Sequence, residues 1–174
     1  SFGIVITVND VATSALSYTS PNVFTKDVAI TPLSPSVSGG AVLSYSITPA
    51  LPLGLSFDTI SGMISGTPSV IAGSSAYTVT AVNSGGATSF GIVIIVNDSA
   101  PNSLSYASPN VFTKGVAITP LSPSVSGGAV VSYSITPALP LGLDFDTVSG
   151  MISGTPTVIS SSATYTITAT NSGG

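Results

Sequence analysis

The sequence predicts an all-β protein built from tandem copies of one β-sandwich unit. Three observations carry this. Val, Ile, Thr and Tyr recur at every second position along short runs, and Gly, Pro, Asn and Ser separate the runs. The chain repeats itself with a period of 88 residues: 69 of 86 positions are identical between 1–86 and 89–174. No stretch shows helical periodicity. The composition agrees, with 53 Ser and Thr among 174 residues, 43% hydrophobic residues, 18 Gly and 13 Pro.

One unit reads as seven or eight short strands. Residues 15–18 (ALSY) and 22–24 (NVF) are first-strand pieces split by Pro21, and 27–33 (DVAITPL) form the next strand. A Ser/Pro/Gly loop over 34–40 leads to 41–47 (AVLSYSI), and LPLGL (51–55) turns into LSFD (55–58). DTISG (58–62) is a tight turn in which Asp58 can cap the local backbone and Gly62 can adopt positive φ. MIS (63–65) returns antiparallel, SAYTVTAVN (75–83) is a long strand with Tyr77, Val79 and Ala81 on one face, and SGG (84–86) turns into 89–97. Seven or eight short strands per 88-residue repeat, without helices, predict tandem Ig-like β-sandwiches.

The chain opens with SFGIVITVND, which matches SFGIVIIVND at 89–98 at every position but one. Phe2, Ile4, Ile6 and Val8 alternate just as Phe90, Ile92, Ile94 and Val96 do. Residues 1–10 are therefore expected to be the last strand of a preceding or neighbouring-subunit unit. Residues 11–98 then form a complete repeat, and 99–174 form a second repeat without its last strand. The close identity of the copies points to a stretch of a longer array.

At LSYSITPALPLGLSFDTISGMISGTPSV (43–70), and at its copy VSYSITPALPLGLDFDTVSGMISGTPTV (131–158), the sequence resembles the bacterial Ig-like, cadherin-like repeat family of large surface proteins. The pattern PALPxGLxFDxxSGxISGTP is followed in both copies by YTxTAxNSGG, so 43–86 and 131–174 hold its most specific part. The resemblance implies sandwiches in tandem arrays in adhesins and other extracellular proteins. It implies no enzymatic activity and supplies no catalytic residues. Tyr77 and Tyr165 stand near the start of the penultimate strand, where a buried Tyr can bond backbone as in a tyrosine corner.

The inventory excludes most chemistry. His, Cys, Glu, Arg and Trp are absent, and the only cations are Lys26 and Lys114. Triads, thiolate chemistry and transition-metal sites therefore lack their residues, and no nucleotide-binding glycine motif or other cofactor signature occurs. Asp144 and Asp146 would share a strand face, but Ser56 replaces Asp144 in the first copy, so they read as a solvated pair. Two lysines and a net charge of −4 make nucleic acid and anionic membrane poor partners. The apolar run FGIVIIV (90–96) is too short to span a bilayer. Eight charged side chains in 174 residues point to an extracellular or cell-surface setting.

Three minor candidates remain. Asp98 in VNDSAPN could contribute to a calcium site at the repeat junction, although calcium usually takes several carboxylates and Asp98 is alone there. Lys26 and Lys114 could form isopeptide bonds with Asn9 and Asn97, but this needs a buried acid. Asp27 suits that role poorly and its counterpart is Gly115. An edge-strand lysine that blocks unwanted pairing is the plainer reading. Asn97-Asp98-Ser99 fits the N-glycosylation pattern.

The expected function is a structural repeat of an extracellular fibre or surface stalk, joined head-to-tail, with Phe2, Ile4, Ile6 and Val8 as the strand that completes an adjacent unit. Its partner is itself. The alternatives are a carbohydrate- or protein-binding adhesin module, for which Tyr18, Tyr45 and their copies Tyr106 and Tyr133 are candidates although their place on predicted strands favours core or sheet packing, and a passive spacer in a secreted enzyme.

Overall fold

The computed structural model describes residues 2–174. The chain divides into two units, Ser1–Asn97 and Asp98–Gly174. Every described element is a strand, turn or loop.

Unit 1 contains β1 (Thr13–Ser17), β2 (Asn22–Thr25), β3 (Ser36–Gly39), β4 (Ser44–Thr48), β5 (Leu55–Phe57), β6 (Ile64–Gly66), β7 (Ala72–Asn83) and β8 (Gly86–Asn97). Its main sheet has the order β2-β8-β7-β4. The hairpin β7–β8 is antiparallel, with Asn83 opposite Gly86 and Tyr77 opposite Ile92. On its other side β8 runs parallel to β2, from Asn22 opposite Ile94 to Thr25 opposite Asn97. The pairs β1–β3 and β5–β6 form smaller antiparallel ribbons.

Alternation builds the core. Tyr77, Val79 and Ala81 point inward from β7, and Ile92, Ile94 and Val96 point inward from β8; the last three are completely buried. They pack in one cluster with Leu16, Tyr18, Tyr45 and Ile64 from the other elements. Each such isoleucine contributes about 1.5–3 kcal/mol through removal of apolar surface from water. The DTISG turn forms as its chemistry requires. The Asp58 carboxylate accepts the N–H groups of Ile60 and Ser61 at 2.7 and 3.1 Å, and Gly62 sits at φ 72°.

Unit 2 contains β9 (Pro101–Ser105), β10 (Ser124–Gly127), β11 (Ser132–Thr136), β12 (Leu143–Phe145), β13 (Ile152–Gly154) and β14 (Thr166–Thr170). They pair as β9–β10, β11–β14 and β12–β13.

The structure differs from expectation at three places. Residues 27–33 are not a strand. Asp27 turns at φ 62° and Pro32 has no N–H to give, so the segment touches β6 only through the Leu33–Ile64 bridge and the bond from Ile30 N–H to the Gly66 carbonyl. The loop expected at 34–40 contains β3, held by β1. Residues 2–10, expected as a strand, belong to no ladder. A strand exists through its pairing, and in unit 1 the place between β2 and β7 is filled by β8.

Candidate inter-unit strand site

The two copies are nearly identical in sequence, so their differences in burial locate the effect of one strand. In unit 1, β8 covers Tyr77, Val79 and Ala81, which are 5%, 0% and 0% exposed. Their counterparts in unit 2, Tyr165, Ile167 and Ala169, are only half-buried. Asn22 is buried beside β8, whereas Asn110 is exposed. Val111 is 94% exposed against 59% for Val23. Residues 110–113, the counterparts of β2, form no strand. The penultimate strand also shortens, from twelve residues in β7 to five in β14. Among the described residues, β14 pairs with β11 alone, so its other edge presents unpaired backbone beside an apolar strip.

The matching piece is elsewhere in the chain. Phe2, Ile4, Ile6 and Val8 are between 72% and 92% exposed. Val5 is also exposed, so neither face of the segment is covered.

The residues immediately C-terminal to this segment are firmly held. The Asp10 N–H donates to Ser84 Oγ at 2.9 Å, and Asn83 Nδ2 donates to the carbonyls of Val11 and Ala41 at 2.7 and 3.2 Å. Asn83 Oδ1 accepts the N–H groups of Gly85 and Gly86, which fixes the β7–β8 turn. Unit 2 repeats the clamp: the Asp98 N–H donates to Ser172 Oγ at 2.9 Å, and Asn171 Nδ2 donates to the carbonyls of Ser99 and Ala129 at 2.6 and 3.1 Å. β8 ends at Asn97 and the next residue is already in this clamp, so no free linker intervenes. Sequence reasoning reads NSGG only as a turn; its recurrence in both copies, with a second Gly-Gly at 39–40 and 127–128, is the signal that could have revealed the clamp.

The remaining candidates have structural surroundings. The Asp98 carboxylate accepts the Ser99 N–H at 3.0 Å, and no group of three acidic, His or Cys side chains occurs among the described residues. Lys26 pairs with Asp27 at 3.2 Å, and its backbone N–H donates to the Asn97 carbonyl at 2.8 Å. In unit 2, Gly115 stands in place of Asp27 and Lys114 is exposed, as is Asn9 of unit 1. Asp146 caps its turn by accepting the Val148 and Ser149 N–H groups at 2.8 and 3.0 Å. These bonds, Ser149 first, hold its carboxyl below the usual carboxylate range, as the N–H groups of Ile60 and then Ser61 do for Asp58. Asp144 stays on the exposed surface of β12.

Tyr18, Tyr45, Tyr77 and Tyr133 are core. The hydroxyl that bonds a distant carbonyl belongs to Tyr18, which donates to Gly62 at 2.6 Å, and in unit 2 to Tyr106, which donates to Gly150 at 2.6 Å. This corrects the expectation placed on Tyr77 and Tyr165, which contribute their rings beside the closing strand. Burial, and next the neighbouring Tyr45, push the Tyr18 hydroxyl well above the ordinary tyrosine range; burial, and next Tyr133, raise Tyr106. Tyr18 and Tyr45 are each 8% exposed, so neither offers a ring to a ligand.

The family model described as "Putative Ig domain" matches residues 4–98 and again 93–174. The chain belongs to this family. Both matches of the Putative Ig domain take in all or part of the strand 89–97, and the first also takes in most of 2–9. Among curated proteins, the Serine-rich adhesin for platelets of Staphylococcus aureus is 35% identical over 142 residues, which cover 79% of this chain and 6% of that protein. The same adhesin from strain MRSA252 is 35% identical over 145 residues, covering 79% of this chain and 10% of that one. The chain thus spans a small fraction of the length of these relatives. Among solved structures, extracellular domains 3–5 of Drosophila OTK align with a TM-score of 0.56 and 15% identity, covering 92% of this chain and 58% of that one, a likeness of fold alone.

Proposed function

We propose that the chain is a structural repeat of an extracellular, cell-surface stalk of the adhesin type, in which Ig-like units join head-to-tail and residues 2–9 are the closing strand of an adjacent unit. One observation carries the reading: the strand that closes unit 1 leads without a linker into the clamp that opens unit 2, and residues 2–9 lead into the same clamp on unit 1. A unit of this kind is completed by sequence that immediately precedes the next unit. The arrangement propagates along an array, and each repeat adds on the order of 40 Å if strands lie along the axis. Similarity to a staphylococcal adhesin supports the cell-surface setting. The residue inventory, without His, Cys or Glu, supports a non-enzymatic role. The partner is a further copy of the unit, and no cofactor is required.

The test joins two copies of the chain through the dipeptide Ala-Thr, which precedes SFGIV at 87–88 and keeps the 88-residue period. The inner copy of 98–174 should then unfold near the midpoint of unit 1, and concatemers of increasing length should appear in electron micrographs as rods of constant increment. An unchanged unit 2 midpoint, or particles that do not lengthen, contradicts the reading.

A further inference from the structure

We infer that unit 1 bears tension along its length, and that the parallel pairing of β2 with the end of β8 is the latch that sets the force it withstands. The role rests on reading the chain as a piece of a stalk, in which load passes from unit to unit; the latch belongs to unit 1 alone. Load enters unit 1 at Asp10 and Val11, which are held to the β7–β8 turn by Ser84 and Asn83. It leaves at Asn97, where β8 ends. The turn and Asn97 lie at opposite ends of β8, a strand of twelve residues and about 40 Å. Tension therefore runs along β8.

β1 meets the load first. It pairs with β3 at Thr13–Gly39, Ser14–Ser38 and Ser17–Ser36, and a bulge with Ala15 at φ 47° interrupts the ladder. A non-glycine residue held in this left-handed conformation is strained, so β1 is the weaker hold. β2 comes next. It runs in the same direction as β8, from Asn22 opposite Ile94 to Thr25 opposite Asn97. Tension draws the start of β2 back toward the turn and the end of β8 away from it. The two strands must slide past each other, which loads every bond between them at once. The Lys26 N–H donates to the Asn97 carbonyl at 2.8 Å and the Val93 N–H donates to Ser20 Oγ at 3.0 Å, so the latch extends beyond both ends of β2. Alternation in a parallel ladder turns the Phe24 N–H toward β8 as well. Ile94 and Val96 are completely buried and Asn22 is 6% exposed, and bonds in such a surround are electrostatically stronger than in water. β2 is the edge of its sheet, so β8 is the strand that must hold it.

The test holds single chains between handles attached to engineered cysteines, since the native chain has none. The pair N9C and A100C applies the sliding load. The pair V28C and A100C pulls β2 and β8 from the same end and unzips them one bond after another. All three sites are exposed. In the sliding geometry the opening of unit 1 should lengthen the chain by on the order of 270 Å. The force should be about threefold or more above that of unzipping, because four paired residues are loaded together rather than in turn. S20A removes the acceptor of the Val93 N–H, and N22A removes the amide that donates to the Thr19 carbonyl at 2.8 Å. Each should lower the sliding force by about a quarter, whereas D58A, which weakens a turn away from the latch, should leave it within about a tenth of the native value. Equal forces in the two geometries, or a sliding force that falls as far in D58A as in N22A, overturn the inference. Concatemers that form rods while unit 1 opens at equal force in both geometries would keep the stalk and remove the latch. A high sliding force without rods would keep the latch and remove its role in a stalk.

Discussion

Ile4 and Ile92 occupy the same place in two copies of one strand sequence, and substituting each by alanine separates their roles. Ile92 is completely buried between β7, β2 and the rest of the core, whereas Ile4 is 72% exposed. Truncation of a buried isoleucine removes its transfer energy and leaves a cavity, at a cost of about 2–5 kcal/mol. At roughly 4–8 °C per kcal/mol for a domain of this size, unit 1 should melt about 8–40 °C lower in I92A. I4A removes nothing that is packed in the isolated chain and should fall within about 0.5 kcal/mol of the native value. The assay is urea and thermal unfolding at low protein concentration, followed by tyrosine fluorescence, since six tyrosines and no tryptophan are present. If I4A destabilises unit 1 as much as I92A, then 2–9 rather than β8 closes that unit, and the reasoning fails.

Other outcomes rest on particular contacts. Y18F leaves the buried Gly62 carbonyl without its donor and should cost about 1–3 kcal/mol, while Y106F, at a more open site, should cost less in the same unfolding experiment. Because burial raises the folded-state pKa of Tyr18 above its unfolded value, its stabilising contribution is complete below about pH 10 and is lost as pH rises through the folded value; Y18F should flatten that alkaline slope. Asp58 shows the opposite sign. Its depressed folded-state pKa gives stability that is present above about pH 4 and lost as pH falls through the folded value, and D58A should remove this acid slope and lower the melting temperature at neutral pH. A Cβ on Gly40 would stand 2.0 Å from the Val11 carbonyl oxygen, so G40A should loosen the entry clamp and destabilise unit 1 by more than about 1 kcal/mol, whereas G73A, with nothing within 4 Å, should be neutral or slightly stabilising by calorimetry.

Much of this molecule is legible from alternation. Spacing alone puts Tyr77, Val79 and Ala81 on one face, and the structure buries all three. Turn chemistry alone gives the roles of Asp58 and Gly62. Residues 27–33 mislead because Val28, Ile30 and Leu33 look strand-like, while a turn at Asp27 and a proline decide the backbone. β3 escapes sequence reading because Ser36–Gly39 lacks the bulky β-branched pattern, and its partner β1 supplies the reason for the strand. Position in the strand order points to Tyr77 for the tyrosine bond, whereas the contact of Tyr18 with Gly62 is made between residues 44 apart in sequence and leaves no local signature. The strand site itself is readable in part: the repeat identifies the apolar segment 2–8, but the matching exposure of Val111, Tyr165, Ile167 and Ala169 is a property of packing.

The central claim is that the edge formed by β14 and residues 110–113 is completed by a strand of the type 2–9. Amide hydrogen exchange at Val111–Thr113 and Thr166–Thr170 tests it most directly, with Val23–Thr25 and Thr78–Val82 of unit 1 as the internal standard. In the single chain these unit 2 amides should exchange faster than their unit 1 counterparts. When the Ala-Thr linkage places SFGIVITVN behind the inner unit 2, the account predicts protection of both segments that rises to match unit 1. Rapid exchange that persists there in the linked chain would contradict it.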